Sequence, residues 1–312
     1  MDTFSSNSSS VLRLQSFDLS PQVTYVAFVF AMLSYLSILF CNLVLLITIT
    51  MNKSLHQPMY LLLFNLPIND LIGSSALLSQ LIKEILLDSR YIEVSNCIAQ
   101  AFFIHIYAVG SLFILTFMSY DRYIAICNPL RYNTIMTNSL VVRMIVIGWL
   151  LDFFLIGALF ALVLRWPRCR SLITQPYCDN PSLVNLVCAD TTINNIYGLL
   201  LTASLQGLSV GMVLYTYLQI LVACFKSKRS DTKSKALQTC ATHLTVFLIL
   251  EGLAFLTIIS YRIKEISPHI RRLVGVSIMI FPPFLNPIIY GLKTKEIRQK
   301  IMLLFCQKVV KS

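Results

Sequence analysis

The residues able to do charge chemistry are few, and five of them lie where charges are rare. Asp121 and Arg122 stand side by side directly after Ile98–Tyr120, a stretch of 23 residues without Asp, Glu, Lys or Arg. Asp70, Asp152 and Glu251 each interrupt a long apolar run alone. An adjacent acid and base can form an ion pair that is made and broken. Arg suits such a role because its planar fork stays charged and exchanges partners while partly desolvated. A lone acid in an apolar run is costly and is by default a functional candidate. Cys97, Cys169, Cys178 and Cys188 add disulfide chemistry. Catalysis has less to build on, since the four His are scattered and show no His-x-x-x-His spacing.

The elements that must position these groups follow from hydropathy. Hydrophobic residues make up 56% of the 312 positions and charged residues 12%, against about 25% charged in a soluble domain. A run of about 18 apolar residues crosses a hydrocarbon core of roughly 30 Å as a helix. Seven stretches qualify: Val23–Met51, Pro58–Ile82, Ile98–Tyr120, Met144–Leu164, Ile193–Phe225, Ala236–Tyr261 and Leu273–Leu292. The expected fold is an all-α membrane protein, a bundle of seven transmembrane helices.

With the N-terminus outside, 15 of the 25 Lys and Arg fall on the inner side and 10 on the outer, as the positive-inside rule requires. The net charge of +11 is therefore a feature of the cytoplasmic face, and nucleic acid is not an expected partner. Residues 1–22 read as an outer tail, 23–292 as the seven-span domain and 293–312 as a cytoplasmic tail. The start is polar and Ser-rich, without the basic flank of a signal peptide, and Asn7-Ser8-Ser9 is a glycosylation sequon. The four outer cysteines allow three pairings, among which spacing does not choose. No internal repeat divides the chain into the related halves of a secondary transporter.

Four segments carry a resemblance: PMYLLLFNLPINDL (58–71), MSYDRYIAICNPLRY (118–132), KALQTCATHL (235–244) and PPFLNPIIYGLK (282–293). They resemble the odorant (olfactory) receptor branch of the rhodopsin-like G-protein-coupled receptors. The resemblance implies a small-molecule odorant outside, and a stimulatory heterotrimeric G protein raising cyclic AMP inside. It also implies a plasma-membrane location, in sensory cilia. A non-olfactory chemosensory receptor of the same fold stays open as the alternative.

The resemblance further implies a switch of Asp121, Arg122, Tyr123, Tyr217, His243, Asn286, Pro287 and Tyr290. In it Arg122 is held by its acid when off and extends toward the G protein when the inner helix ends part. Pro287 removes a backbone bond and permits a kink. Asp70 is expected to have Ser111, Asn42 and Asn286 as polar neighbours, a cluster the family often uses for sodium, here Asp70 with Ser111; no other cofactor is expected.

A ligand entering from outside meets the outer halves of the third, fifth, sixth and seventh spans. His105 lies 17 residues before Arg122, roughly 25 Å above the inner end. Ile104, Ala108 and Val109 lie on or beside its face. Leu201, Thr202 and Leu205 supply an apolar wall with one hydroxyl, and Glu251, Ile258 and Arg262 face it from the sixth span. His105 is placed to donate to a ligand oxygen or to be satisfied by the outer loop. Glu251 departs from the aromatic residue many odorant receptors carry. It is placed to pair with a cationic ligand, to pair with His105, or to stay protonated through burial. Arg262 at the rim can attract carboxylates. By resemblance Cys97 pairs with Cys178, and Cys169 with Cys188, making a lid of the long outer loop 169–191. Ile297, Ile301, Leu304 and Phe305 share one face of a short amphipathic helix after the seventh span, suited to the lipid surface.

Overall fold

The computed structural model describes residues 10–15, 20–87, 89–226, 230–263 and 265–309; the side chains of 230–239 and 307–309 are outside that description. In chain order the elements are β1 (Val11–Leu14), α1 (Pro21–Met51), α2 (Pro58–Leu87), β2 (Tyr91–Glu93), α3 (Val94–Cys127), α4 (Tyr132–Ile135), α5 (Asn138–Leu164), β3 (Leu172–Ile173), α6 (Asn180–Asn185), α7 (Thr192–Lys226), α8 (Ser230–Arg262), α9 (Pro268–Lys293) and α10 (Lys295–Val309). Among the described residues seven helices are long and apolar enough to cross a membrane: α1, α2, α3, α5, α7, α8 and α9. The bundle is the expected one, and α10 follows the seventh span.

Most of these helices outrun the uncharged stretches, because the backbone keeps its internal bonds past the hydrocarbon. Proline sets several ends. Pro21 and Pro58 open α1 and α2, where a missing N–H costs nothing. Beyond α3 comes Asn128-Pro129, a pair that disfavours further helix. The central helices bury most. In α2, α3 and α9 more than half of the most apolar window is buried (61%, 61% and 56%), whereas in α1 and α8 only 22% is. The outer ring therefore presents Phe30, Phe40, Phe154, Leu200, Leu208 and Phe255 to lipid.

The proline-rich α9 shows how the spans fit together. It contains Pro282, Pro283 and Pro287, none of which can donate to the carbonyl four residues back. Two carbonyls so freed are taken by neighbours. Asn42 on α1 donates its Nδ2 to the Pro283 carbonyl at 2.9 Å, replacing the bond lost at Pro287. Tyr107 on α3 donates its hydroxyl to the Ile278 carbonyl at 3.3 Å, replacing the bond lost at Pro282. Tyr107 reaches α9 because its ring lies directly on Gly73 of α2, where any Cβ would overlap it.

The outer end holds a structure that hydropathy does not announce. The tail strand β1 lies between β2 and β3, antiparallel to the first and parallel to the second. Leu12 and Leu14 point inward and are almost fully buried with Ile92 and Ile173. At the inner end, α10 seats Ile297, fully buried, against the bundle, with Ile301 and Leu304 half-buried. Phe305, expected on the same face, is 43% exposed, beside exposed Met302 and Leu303.

Asn42→Ala should lower the unfolding midpoint of the purified protein, since an unpaired buried carbonyl costs about 1–3 kcal/mol. Pro287→Ala restores an N–H at position 287, so Asn42→Ala should cost less in that background. Thermal unfolding of the two single variants and the double variant measures the coupling, and strictly additive losses would sink the replacement argument.

Candidate functional site

The inner end of α3 places the acid–base pair. Asp121 is fully buried and Arg122 17% exposed. Arg122 donates Nε and Nη2 to one carboxylate oxygen of Asp121, at 3.1 and 2.7 Å. The other oxygen accepts the Tyr132 hydroxyl from α4 at 2.8 Å. Burial, and then the Asp121 charge, hold the Tyr132 phenol well above its ordinary range. It therefore stays a donor at any physiological pH. Tyr132 was not a sequence candidate, although it lies inside the quoted 118–132 segment.

A second set of bonds ties α8 to the same end. His243 is buried, with Nε2 3.0 Å from the Leu115 carbonyl of α3 and Nδ1 2.8 Å from the Tyr217 hydroxyl of α7. A carbonyl only accepts, so Nε2 carries the proton and Nδ1 faces the hydroxyl. That hydroxyl also lies 3.0 Å from the Cys240 carbonyl. Tyr290 is buried in the same core cluster, and its hydroxyl meets no partner among the described residues. Tyr123 is half-buried, its ring 6.0 Å from that of Tyr215 on α7.

At mid-bundle the partners differ from expectation. Asn286 donates to both oxygens of Asp70, at 3.2 and 3.0 Å. Ser111 and Asn42 turn elsewhere. Ser111 accepts from Asn69 at 2.8 Å and donates to the Tyr107 carbonyl at 2.8 Å, while Asn42 serves the Pro283 carbonyl. A freed or nearby carbonyl outcompetes a carboxylate that already has two bonds.

The outer end is closed by the long loop. Cys97 is bonded to Cys178 and Cys169 to Cys188, with Cα atoms 5.3 and 5.8 Å apart. Gln100 accepts from the Cys178 N–H at 2.7 Å and donates to the Ala76 carbonyl at 3.0 Å, joining the loop to α2 and α3. Asp179 accepts from the Ser182 N–H at 2.8 Å, capping α6, and from the Tyr261 hydroxyl of α8. Tyr261 in turn lies 3.3 Å from the Tyr177 hydroxyl. Burial, and then the Asp179 charge, push the Tyr177 phenol well above its ordinary range. A Cβ on Gly275 would overlap the Tyr177 hydroxyl, so α9 packs on this loop without a side chain between. Gln100, Tyr177, Asp179 and Tyr261 escaped the sequence reading, because loop contacts leave no periodic signal.

The expected ligand residues divide. Ile104 and Leu205 pack in the central core, and Ala108 and Ile258 are half-buried. Four readings need correction. His105 spends its Nδ1 on the Ala101 carbonyl one turn back, at 2.8 Å, with Phe160 edge-on at 5.6 Å. With that proton on Nδ1 a neutral imidazole offers a ligand an acceptor at Nε2, and among the described residues the outer loop makes no hydrogen bond to it. Val109 packs toward Ile156, Leu159 and Phe160 of α5, while Thr202 is exposed outward and leaves Leu201 and Leu205 on the inner side. Glu251 is half-buried beside Gln206 of α7 and not beside His105, and one oxygen of each is buried without a partner among the described residues. Arg262 is exposed at the rim, and Asn7 lies outside the described residues. An open cleft of about 330 Å³ lies between the tops of α3 and α5 and the loop, lined by Ile98, Val163, Trp166, Leu183 and Val187. None of the expected ligand residues lines it.

The olfactory receptor family profile matches residues 30–308. The chain belongs to the olfactory receptor family. Human olfactory receptor 52D1 is 35% identical, over 86% of this chain and 85% of that protein. Human olfactory receptor 52Z1P is 36% identical, over 85% and 89%. Human olfactory receptor 10A6 is 31% identical, over 95% of each. The receptor is thus a multi-pass member of a G-protein-coupled class that takes small-molecule ligands, and a receptor class rather than an enzyme class.

Non-reducing peptide mapping of the purified receptor should recover Cys97 linked to Cys178 and Cys169 to Cys188. Cys178→Ser should sharply reduce surface delivery, a native disulfide being worth about 2–5 kcal/mol in small secreted domains. A peptide joining Cys97 to Cys169 or Cys188 would overturn the pairing.

Proposed function

We propose that the receptor detects a small, partly apolar odorant in the outer half of the bundle. It then activates a stimulatory heterotrimeric G protein that raises cyclic AMP. Residues 1–22 lie outside the cell and 293–312 in the cytoplasm, with the exposed apolar side chains of α10 against membrane lipid. The location is the plasma membrane of sensory cilia. Ile104, His105, Ala108, Leu205, Glu251 and Ile258 form the ligand's surroundings, with Leu201 and Arg262 toward the rim.

The observation that carries this reading is the closed inner end. Arg122 is folded back on Asp121, and His243 draws α8 onto α3 and α7. Activation is then the exchange of Asp121 for a partner beyond the membrane face, as α8 moves away and opens the space lined by Tyr217 and Tyr290. Glu251 lies on α8 8 residues beyond His243, about 12 Å at 1.5 Å per residue. A ligand acting there pushes on the helix that bears the inner contact.

Arg122→Ala should abolish odorant-driven cyclic AMP while leaving surface delivery largely intact; full signalling by a well-expressed variant would remove the switch assignment. Glu251→Gln tests the outer end. If the carboxylate reads the ligand, the change should alter which compounds of an odorant panel activate, at unchanged basal activity. Equal shifts for every compound would place Glu251 in the helix network instead.

A further inference from the structure

Asp152, near the middle of α5, is fully buried, and neither carboxylate oxygen has a partner among the described residues. It faces a second oxygen in the same condition. Asn69 of α2 donates to the Tyr107 carbonyl at 2.9 Å and to the Ser111 hydroxyl at 2.8 Å. The carbonyl can only accept, so the amide cannot be reversed and its oxygen must point the other way. That oxygen is also buried and unpartnered.

Gly110 of α3 leaves the room between them. A Cβ at that position would lie 2.6 Å from the Asn69 oxygen and 3.2 Å from Oδ2 of Asp152. A cavity of about 10 Å³, lined in part by Asn65, Gly110, Gly148, Trp149 and Asp152, adjoins them. It has room for about one water-sized body. The donors nearby are already engaged: Trp149 gives its Nε1–H to Asn65 at 3.1 Å, and Ser111 gives its hydroxyl to Tyr107. Two acceptor oxygens, Asn69 Oδ1 and Asp152 Oδ2, thus meet beside Gly110, and no described side chain donates to either.

We propose that Asp152 and Asn69 form a binding site for one sodium-sized monovalent cation between α2, α3 and α5. A carboxylate with an amide oxygen is a hard donor set, suited to an alkali cation and not to a thiophilic metal. Among the described residues no three His, Cys, Asp or Glu side chains gather to hold a transition metal. Asp70 differs in kind, because Asn286 donates to both of its oxygens. The cation would join α5 to the α2–α3 pair, at a place separate from both the odorant surroundings and the Arg122 switch.

The test is thermal unfolding of the full-length receptor in nanodiscs, in lithium, sodium, potassium or choline chloride at equal ionic strength. The midpoint should be a few degrees higher in sodium than in choline, with lithium and sodium ahead of potassium. Asp70→Asn should keep that difference and Asp152→Asn should lose it. The new amide can donate to the Asn69 oxygen without a charge, so this variant should fold. No difference between sodium and choline in the unaltered receptor overturns the site, a result that needs no variant. A sodium effect lost in Asp70→Asn but kept in Asp152→Asn overturns it too. So does a midpoint that follows pH through Asp152 and ignores sodium, which would mean that the carboxyl carries a proton instead.

Discussion

The structure depends on one constraint: within hydrocarbon there is no water to complete a hydrogen bond, so each polar group must find its partner inside the bundle. Three prolines in α9 make that demand acute. The freed carbonyls of Ile278 and Pro283 draw Tyr107 and Asn42 across from α3 and α1. Tyr107 then fixes what α2 must be at position 73, since only a glycine leaves space for its ring. Asn286, between the kinking residues, turns to Asp70. Three helices are thus registered to one another through a fourth, largely by the gaps in its own ladder. Apolar packing alone could not set that register, because lipid tails are as apolar as leucine and helices gain little by meeting.

The same economy explains why α8 is the element suited to move. It buries little of its surface, and a few bonds hold each end. Outside there is the Tyr261 hydroxyl on Asp179, and inside there is His243 between Leu115 and Tyr217. Each such bond is worth about 0.5–1.5 kcal/mol net. Micromolar binding of a ligand supplies about 8 kcal/mol at standard state. Differential contact amounting to a fraction of that is enough to trade one set of end contacts for another. The lid cannot follow easily, because Cys178 is bonded to α3 and its N–H is held by Gln100. A ligand bound where we propose would therefore work between a fixed α3 and a lightly held α8.

Hydropathy made the seven spans and the following helix legible, since it is a sum over many residues. The ends were read short, because polar residues such as Ser95, Asn96 and Asn138 are helical outside the hydrocarbon. Side-chain direction was less legible. In α7 both faces are apolar, so the phase that turns Thr202 outward and Gln206 inward leaves little trace in composition. Partner choice was illegible for Asn42 and Ser111, because it depends on which carbonyls a proline elsewhere has freed. The tail strand did leave a signal, the alternation in Val11-Leu12-Arg13-Leu14. Four residues in a polar, Ser-rich context are too few to outweigh their surroundings.

In the switch proposed above, the adjacency of Asp121 and Arg122 matters in itself. Consecutive residues on a helix point about 100° apart and do not normally face each other, so the pair exists only because the long Arg side chain folds back. Such a pair can be opened by rotating one side chain, with α3 unmoved. What would oppose opening is the charge left behind, since a buried carboxylate that loses its partner is strongly destabilising. Tyr132 removes much of that opposition. It donates to the oxygen Arg122 does not use, and the neighbouring carboxylate helps keep its phenol protonated. Asp121 therefore keeps one strong bond whichever way Arg122 points. What the proposed exchange gives up at this point is the Arg122 pair of donations to one oxygen, weak enough to be exchanged and specific enough to return.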